Sequence, residues 1–228
     1  MPATAAVPLG TALTAWRHCR YAGKPYRHRV ILTLGGLKGG VGKSTSAVFL
    51  ATGLARSGRT LLVDADPQGS ILGWSERAGA GFPAVIAWPV RDLGARVAQV
   101  AADYRHIVID TGPAHEQLLR QALTVSDQLL LPVSPSLLDV REIGRAMQLV
   151  DDLGPIRLPL DVRLLLTRVR TGTASARDAR TGLLEQRLPL LAAQVGMREL
   201  YAQAWGTTPT DLAEYDAVLA ELQAPVPV

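Results

Sequence analysis

The chain has 228 residues, 48% of them hydrophobic and 19% charged, which suits one α/β domain around a single core. A single Cys19 excludes a disulfide framework and any paired-cysteine metal or iron–sulfur site. No apolar run reaches the roughly 18 residues of a membrane span, and no basic residue precedes the apolar stretch of the first sixteen, so neither anchor nor leader is expected. The net charge of +4 is concentrated in residues 1–29, where Arg17, Arg20, Lys24, Arg27 and Arg29 face no acid; the remainder sits near −1, so nucleic-acid binding by the folded part has to be argued from local patches.

In chain order, residues 1–29 show no sustained periodicity and read as a basic N-terminal extension, partly helical around 13–20, ahead of a domain spanning 30–228. Apolar runs at 30–34, 60–63, 84–88, 106–109, 128–132 and 162–166 predict strands. Amphipathic stretches at 43–57, 92–102, 115–125, 136–153 and 174–186 predict the helices between them, with two more at 195–204 and 210–222. Strict alternation predicts an α/β fold: a doubly wound, mostly parallel sheet with helices on both faces. The unbroken hydrophobicity of LLLPV and RLLLT fits strands buried on both sides.

The first strand runs into GGLKGGVGKSTS and then the helical pattern AVFLATGLA. A glycine-rich turn between strand and helix aims backbone N–H groups and a positive helix end at one point, and phosphate oxygens suit that point. Lys43 would reach the β- and γ-phosphates and the Ser44 hydroxyl would ligate Mg²⁺. Of the 24 basic residues only Lys24, Lys38 and Lys43 are lysines, and two of the three lie five apart on this loop. Two ammonium groups so close repel unless substantial negative charge lies beside them, which a nucleotide triphosphate supplies.

Three acids follow at the ends of predicted strands. LLVDADPQGS places Asp64 and Asp66 at i and i+2, the same side of an extended chain, where ligands bind in doubly wound sheets. HIVIDTGP places Asp110 where a carboxylate is able to hold Mg²⁺ through water; taken alone, it is also able to cap the next helix.

The loop departs from GxxxxGK[ST] at its first glycine, where Leu37 stands, and reads Lys38-Gly39-Gly40-Val41-Gly42-Lys43-Ser44-Thr45. In this it resembles the deviant Walker A motif, KGGVGK[ST]T, of ParA/MinD-family P-loop ATPases. The resemblance implies a P-loop NTPase fold, binding of ATP and ADP with Mg²⁺, and ATP hydrolysis by a homodimer that sandwiches ATP. It makes Lys38 the lysine that crosses to the partner subunit's phosphates, and Lys38, Lys43 and Asp66 the catalytic residues, with Asp66 orienting or activating the attacking water. Ser44, Asp64 and Asp110 become the Mg²⁺ set, and Thr111-Gly112-Pro113 a loop that senses the γ-phosphate.

The likeness extends over roughly 30–222. VDADPQGSILGWSERAG has the cadence of small ParF-like plasmid-partition proteins. LLLTRVRTGTASARDA is similar to the family segment near the adenine base, which implicates Thr167 and Arg168, with Thr167 where many members carry Asn.

The activity so implied is that of a partition ATPase, nucleoid-associated in the cytoplasm. It would bind DNA non-specifically and be stimulated by a ParB-like or ribbon-helix-helix centromere-binding partner. Arg157, Arg163, Arg168, Arg170, Arg177, Arg180, Arg187 and Arg198, against Asp161, Asp178 and Glu185, form the candidate DNA patch; as single residues they read equally well as solvated helix faces.

Positioning of a protein cargo by the same engine, or non-enzymatic DNA-binding regulation, are the alternatives. A MinD-like membrane module is disfavoured by the acidic, proline-ended DLAEYDAVLAELQAPVPV, and a nitrogenase-type iron protein by its missing cysteines.

Overall fold

The computed structural model describes residues 29–113, 115–135, 137–154 and 160–224; the expected N-terminal extension lies, up to residue 28, outside the described residues. Seven strands form one sheet: β1 Val30–Leu34, β2 Thr60–Asp64, β3 Ala84–Ala87, β4 His106–Asp110, β5 Gln128–Val133, β6 Asp161–Val169 and β7 Leu190–Gly196. Their order is β3-β2-β4-β1-β5-β6-β7, and every pairing is parallel. The helices are α1 Lys43–Ala55, α2 Ser70–Ala78, α3 Leu93–Val100, α4 Glu116–Leu123, α5 Leu137–Leu153, α6 Ala174–Glu185, α7 Glu199–Gln203 and α8 Glu214–Gln223.

The two-residue period of the strands distributes side chains between the faces. Leu32, Leu34, Leu62, Val108, Leu130 and Leu165 pack with α1, α2, Leu212 and α8 in one cluster. Ile31, Leu61, Val63, Ile107 and Ile109 point the other way, onto α3 and Ala122 of α4, and Leu129, Leu131, Leu164 and Leu166 onto α4, α5 and α6. Each buried Leu or Ile contributes on the order of 1.5–3 kcal/mol relative to exposure.

Helix α1 is enclosed almost all round: Ala47, Val48, Phe49, Leu50 and Ala51 are each 0% exposed. Helix α8 covers its outer side, and Gly53 is what lets it approach, since a Cβ there would lie 2.3 Å from Leu219 Cδ1. Phe49, Tyr201 and Tyr215 interlock with ring centroids 5.0–5.5 Å apart.

Two elements differ from expectation. Residues expected as a helix over 195–204 divide between the end of β7 and the short α7; β7 is an edge strand with only Leu191 and Val195 buried among its seven residues. Helix α2 was not anticipated, because nine residues with only Ile71 and Trp74 buried give too little periodicity to read.

Candidate nucleotide site

Strand β1 is the centre of the sheet, with β4 on one side and β5 on the other, so the chain leaves it at the point where the strand order reverses. Ligands of open α/β sheets bind at the carboxyl ends of the strands there. In the register, Leu34, Asp110 and Asp64 end three neighbouring strands side by side.

The loop between β1 and α1 turns through Gly40 (φ 74°) and Gly42 (φ 90°), left-handed conformations that glycine adopts without a Cβ clash. The first N–H groups of α1 have no intrahelical partner and, with the helix dipole, favour an anion. No side-chain cap occupies that end.

Lys43 is 6% exposed, and its ammonium donates to the Lys38 carbonyl oxygen at 2.7 Å. Burial lowers its pKa, opposed by the negative charges of Asp110 and Asp66. Lys38 itself is half-buried on the same loop. A Cβ on Gly39 would lie 3.7 Å from Pro113 Cγ, so the loop passes close to the turn that follows β4, and Thr111 is pinned there by its hydroxyl and amide to the Leu34 carbonyl.

The three aspartates are supported very differently. Asp64 accepts N–H bonds from Asp66 at 3.2 Å and from Ile71 and Leu72 at 2.9 Å each, tying the end of β2 to the first turn of α2. Burial raises its pKa and those bonds offset part of the rise. Asp66 accepts from the Gln68 amide at 3.0 Å and lies so near Gly112 that a Cβ there would sit 2.5 Å from Asp66 Oδ1.

Asp110 is 0% exposed and, among the described residues, no backbone N–H or ammonium group donates to either carboxylate oxygen, while the Ser44 hydroxyl faces it. Its pKa is pushed up to about 7, by burial first; the nearby Ser44 hydroxyl and Lys43 ammonium pull it down, while Asp64 and Asp66 push it further up. A buried carboxylate that no N–H group holds, facing a hydroxyl at a helix N-terminus, is the donor set a hard divalent cation takes. Ser44 and Asp110 therefore fit Mg²⁺, while Asp64 gives three of its acceptor sites to backbone N–H groups.

Thr167 and Arg168, implicated above in adenine contacts, have their side chains turned onto the loop itself. Thr167 is 2% exposed and its hydroxyl donates to the carbonyl of Val41 at 2.7 Å, the nearer of two acceptors, the Val133 carbonyl lying 3.2 Å away; the Arg168 guanidinium donates to the Gly40 carbonyl at 2.9 Å. No sequence pattern signalled this.

The late arginines do not form one free patch. Arg163 pairs with Asp161 at 2.8 Å, Arg198 with Glu214 at 3.1 Å, and Arg180 donates to the Leu191 and Ala192 carbonyls. Arg170, Arg177 and Arg187 are exposed, and Arg157 lies outside the described residues. Among the described residues no cluster of three His, Cys, Asp or Glu suits a metal, and no helix is long and apolar enough to cross a membrane.

A profile of the CbiA family, the CobQ/CobB/MinD/ParA nucleotide-binding domain, matches residues 32–206, from β1 to just past α7. The chain belongs to this family. It is a ParA/MinD-type P-loop ATPase, as the KGGVGKST loop led one to expect.

Among relatives of this ATPase, maintenance of carboxysome distribution protein A of Gloeobacter kilaueensis is 36% identical over 180 residues, covering 77% of this chain and 80% of that protein. The protein of the same name from Halothiobacillus neapolitanus is 30% identical, covering 76% and 82%. The chromosome-partitioning ATPase Soj of Thermus thermophilus is 28% identical, covering 72% and 76%.

The fold matches the Cyanothece McdA–ATP complex with a TM-score of 0.70 at 20% identity, over 88% of this chain and 99% of that one. It matches Mycobacterium smegmatis cobyrinic acid a,c-diamide synthase, bound to ADP and magnesium, with 0.69 at 20%, over 86% and 96%.

Proposed function

We propose that this ATPase is an ATP-driven positioning switch for a protein assembly, working as an ATP-bridged dimer on a DNA surface. The observation that supports the engine is the loop with two lysines, Lys43 buried against the Lys38 carbonyl beside two aspartates and Lys38 half-buried at the loop's start. Support for a protein cargo, rather than the plasmid partition expected first, comes from the two carboxysome-distribution relatives and their coverage of three quarters of the chain. A partition cargo remains the second reading, favoured by the Soj relative.

In this reading the N–H groups of the loop and the α1 N-terminus bind the phosphates, and Lys43 neutralises the β- and γ-oxygens. Lys38 reaches the partner subunit's nucleotide. Asp66, held by the Gln68 amide and confined by Gly112, orients the attacking water. Ser44 and Asp110 hold Mg²⁺, which when bound neutralises charge on the phosphates. Asp64 fixes the start of α2 and so the position of Asp66. The exposed Arg170, Arg177 and Arg187 serve DNA phosphates with a marked salt dependence.

The reading is tested by ATP turnover and light scattering, with and without double-stranded DNA at low salt. The parent chain is expected to dimerise and bind DNA in ATP but not in ADP. Lys43→Ala abolishes nucleotide binding, a loss of at least about 100-fold, because a buried charge-assisted contact goes. Lys38→Ala retains monomer binding but loses the ATP dimer, and Lys38→Arg does not restore it, since the wider guanidinium needs a bidentate partner. If Lys38→Ala dimerises and binds DNA like the parent, the sandwich reading fails and a plain P-loop ATPase is left.

A further inference from the structure

The phosphate loop is held by side chains at three of its peptide units, and two of those side chains come from the end of β6. A peptide unit is planar and trans, so a side chain that fixes a carbonyl also fixes the N–H of the next residue in the opposite direction. Lys43 holds the Lys38 carbonyl and thereby aims the N–H of Gly39. Arg168 holds the Gly40 carbonyl and aims the N–H of Val41. Thr167 holds the Val41 carbonyl and aims the N–H of Gly42.

We propose that Thr167 and Arg168 are positioning residues for nucleotide binding, a two-residue clamp that sets the loop N–H groups for phosphate before the nucleotide arrives. The proposal rests on the P-loop ATPase reading and deepens it.

Three independent features carry it. The Thr167 hydroxyl is buried and stands on β6, whose backbone pairs with β5 up to Leu166 and Val133, so the loop is referenced to the sheet itself. Arg168 is exposed, yet its backbone lies at φ 54°, a left-handed conformation that is strained for a non-glycine residue. Such strain persists where the surroundings over-determine it, and here the backbone turn accompanies a guanidinium that reaches back 128 residues to Gly40. Finally, the glycines at 40 and 42 give this loop two left-handed turns that are permissive rather than fixed, so its N–H directions need an outside reference. Residues 167 and 168 supply it from a strand whose core neighbours Leu164, Leu165 and Leu166 are fully buried.

The test uses the full chain, ADP with magnesium as probe, and four variants: Thr167→Val, which keeps the shape and removes the hydroxyl; Thr167→Ser, which restores it; Arg168→Gly, which removes the guanidinium but tolerates φ 54°; and Arg168→Lys. The expected result is ADP affinity lowered about 10-fold in Thr167→Val and about 3- to 10-fold in Arg168→Gly. Apo melting temperatures stay within a few degrees of the parent, Thr167→Ser recovers most of the affinity, and Arg168→Lys recovers little. A purely structural role would move melting temperature and leave the affinity of the folded fraction unchanged, and that outcome overturns the proposal, as does parental affinity in both Thr167→Val and Arg168→Gly. If Thr167→Val fails to fold, Arg168→Gly decides alone by the same criterion. Should the parent bind ADP yet hydrolyse no ATP, the ATPase reading fails while the clamp is still judged on ADP affinity.

Discussion

Strand β4 is five residues long, wholly buried, and carries a titratable side chain at each end. At the amino end His106 is 0% exposed; its Nε2 lies 3.0 Å from the Ser57 hydroxyl and its Nδ1 has no partner. At the carboxyl end Asp110 is equally buried, and among the described residues no N–H group donates to either oxygen. Burial drives both towards neutrality, the imidazole pKa down and the carboxyl up.

The resemblance ends there. A neutral imidazole leaves only a modest mismatch, and other polar groups at the amino ends of the strands are paired, the Ile31 amide donating to Asp127 and the Gln128 side chain to Asp161. The site end keeps Asp64, Asp66, Asp110 and Lys43 in one region, with Asp110 held by no N–H group among the described residues. Its polar groups are organised for something added later, which is how a ligand site differs from a structural polar cluster.

Exchanging the two carboxylates at the site end gives the largest contrast. Asp64→Ala strips acceptors from three backbone N–H groups, two of them at the head of α2, and should cost about 3 kcal/mol, or roughly 10 °C in melting temperature. Asp110→Asn removes a buried carboxylate that no N–H group holds and leaves an oxygen for the Ser44 hydroxyl, so the nucleotide-free protein melts within a few degrees of the parent or above it. Affinity for ADP with magnesium reverses the ranking, falling at least about 10-fold in Asp110→Asn. Equal stability losses in the two variants would mean that Asp110 is a structural group like Asp64.

Asp66→Ala comes next. Its carboxylate holds only the Gln68 amide, so nucleotide binding and melting should stay close to the parent, while single-turnover hydrolysis drops about 100-fold. Loss of ADP binding instead would make Asp66 part of the cradle. Gly112→Ala, whose Cβ would collide with Asp66 Oδ1, should reproduce a smaller part of the same defect.

How much of this was legible depended on whether the signal was local. The runs at β5 and β6 announced strands because a strand buried on both faces has no polar positions. The phosphate loop was legible because its glycines and lysines are contiguous. Strand β7 was not: Leu-Leu-Ala-Ala-Gln-Val-Gly has a single β-branched residue and buries two side chains, so at a sheet edge tertiary pairing with β6 decides what propensity leaves open.

The spacing of Asp64 and Asp66 suggested one shared site. Both act electrostatically on Asp110, but it was not legible that Asp66 lies beyond the end of β2 and that the two carboxylates bond to different backbone amides, one at α2 and one in the turn. Thr167 and Arg168 were legible as positions but not as contacts, because their partners Val41 and Gly40 lie 126 and 128 residues away.

The smallest effect sharpens the comparison at the other end of β4. His106 has a folded pKa below its ordinary value of about 6.5. The unfolded chain therefore takes up the proton first. The stabilising contribution of neutral His106 is fully present above pH 6.5 and is lost as pH falls towards the folded pKa. Asp110 has the opposite sign: its folded pKa of about 7 lies above the unfolded carboxyl value, so its contribution is fully present below about pH 4 and is lost as pH rises through 7. As pH falls below 6.5 the two ends of one strand pull apparent stability in opposite directions, and the parent's profile alone does not separate them. His106→Gln does, because the amide keeps a partner for the Ser57 hydroxyl and does not titrate. Unfolding free energies of parent and variant, measured in urea from pH 5 to 8, should run parallel above pH 6.5. Below it the variant gains on the parent by up to about 1.4 kcal/mol per pH unit. A difference that stays flat over the whole range would show that His106 takes up its proton without leaving the fold, and the contrast between a closed floor and an expectant site would lose its lower half.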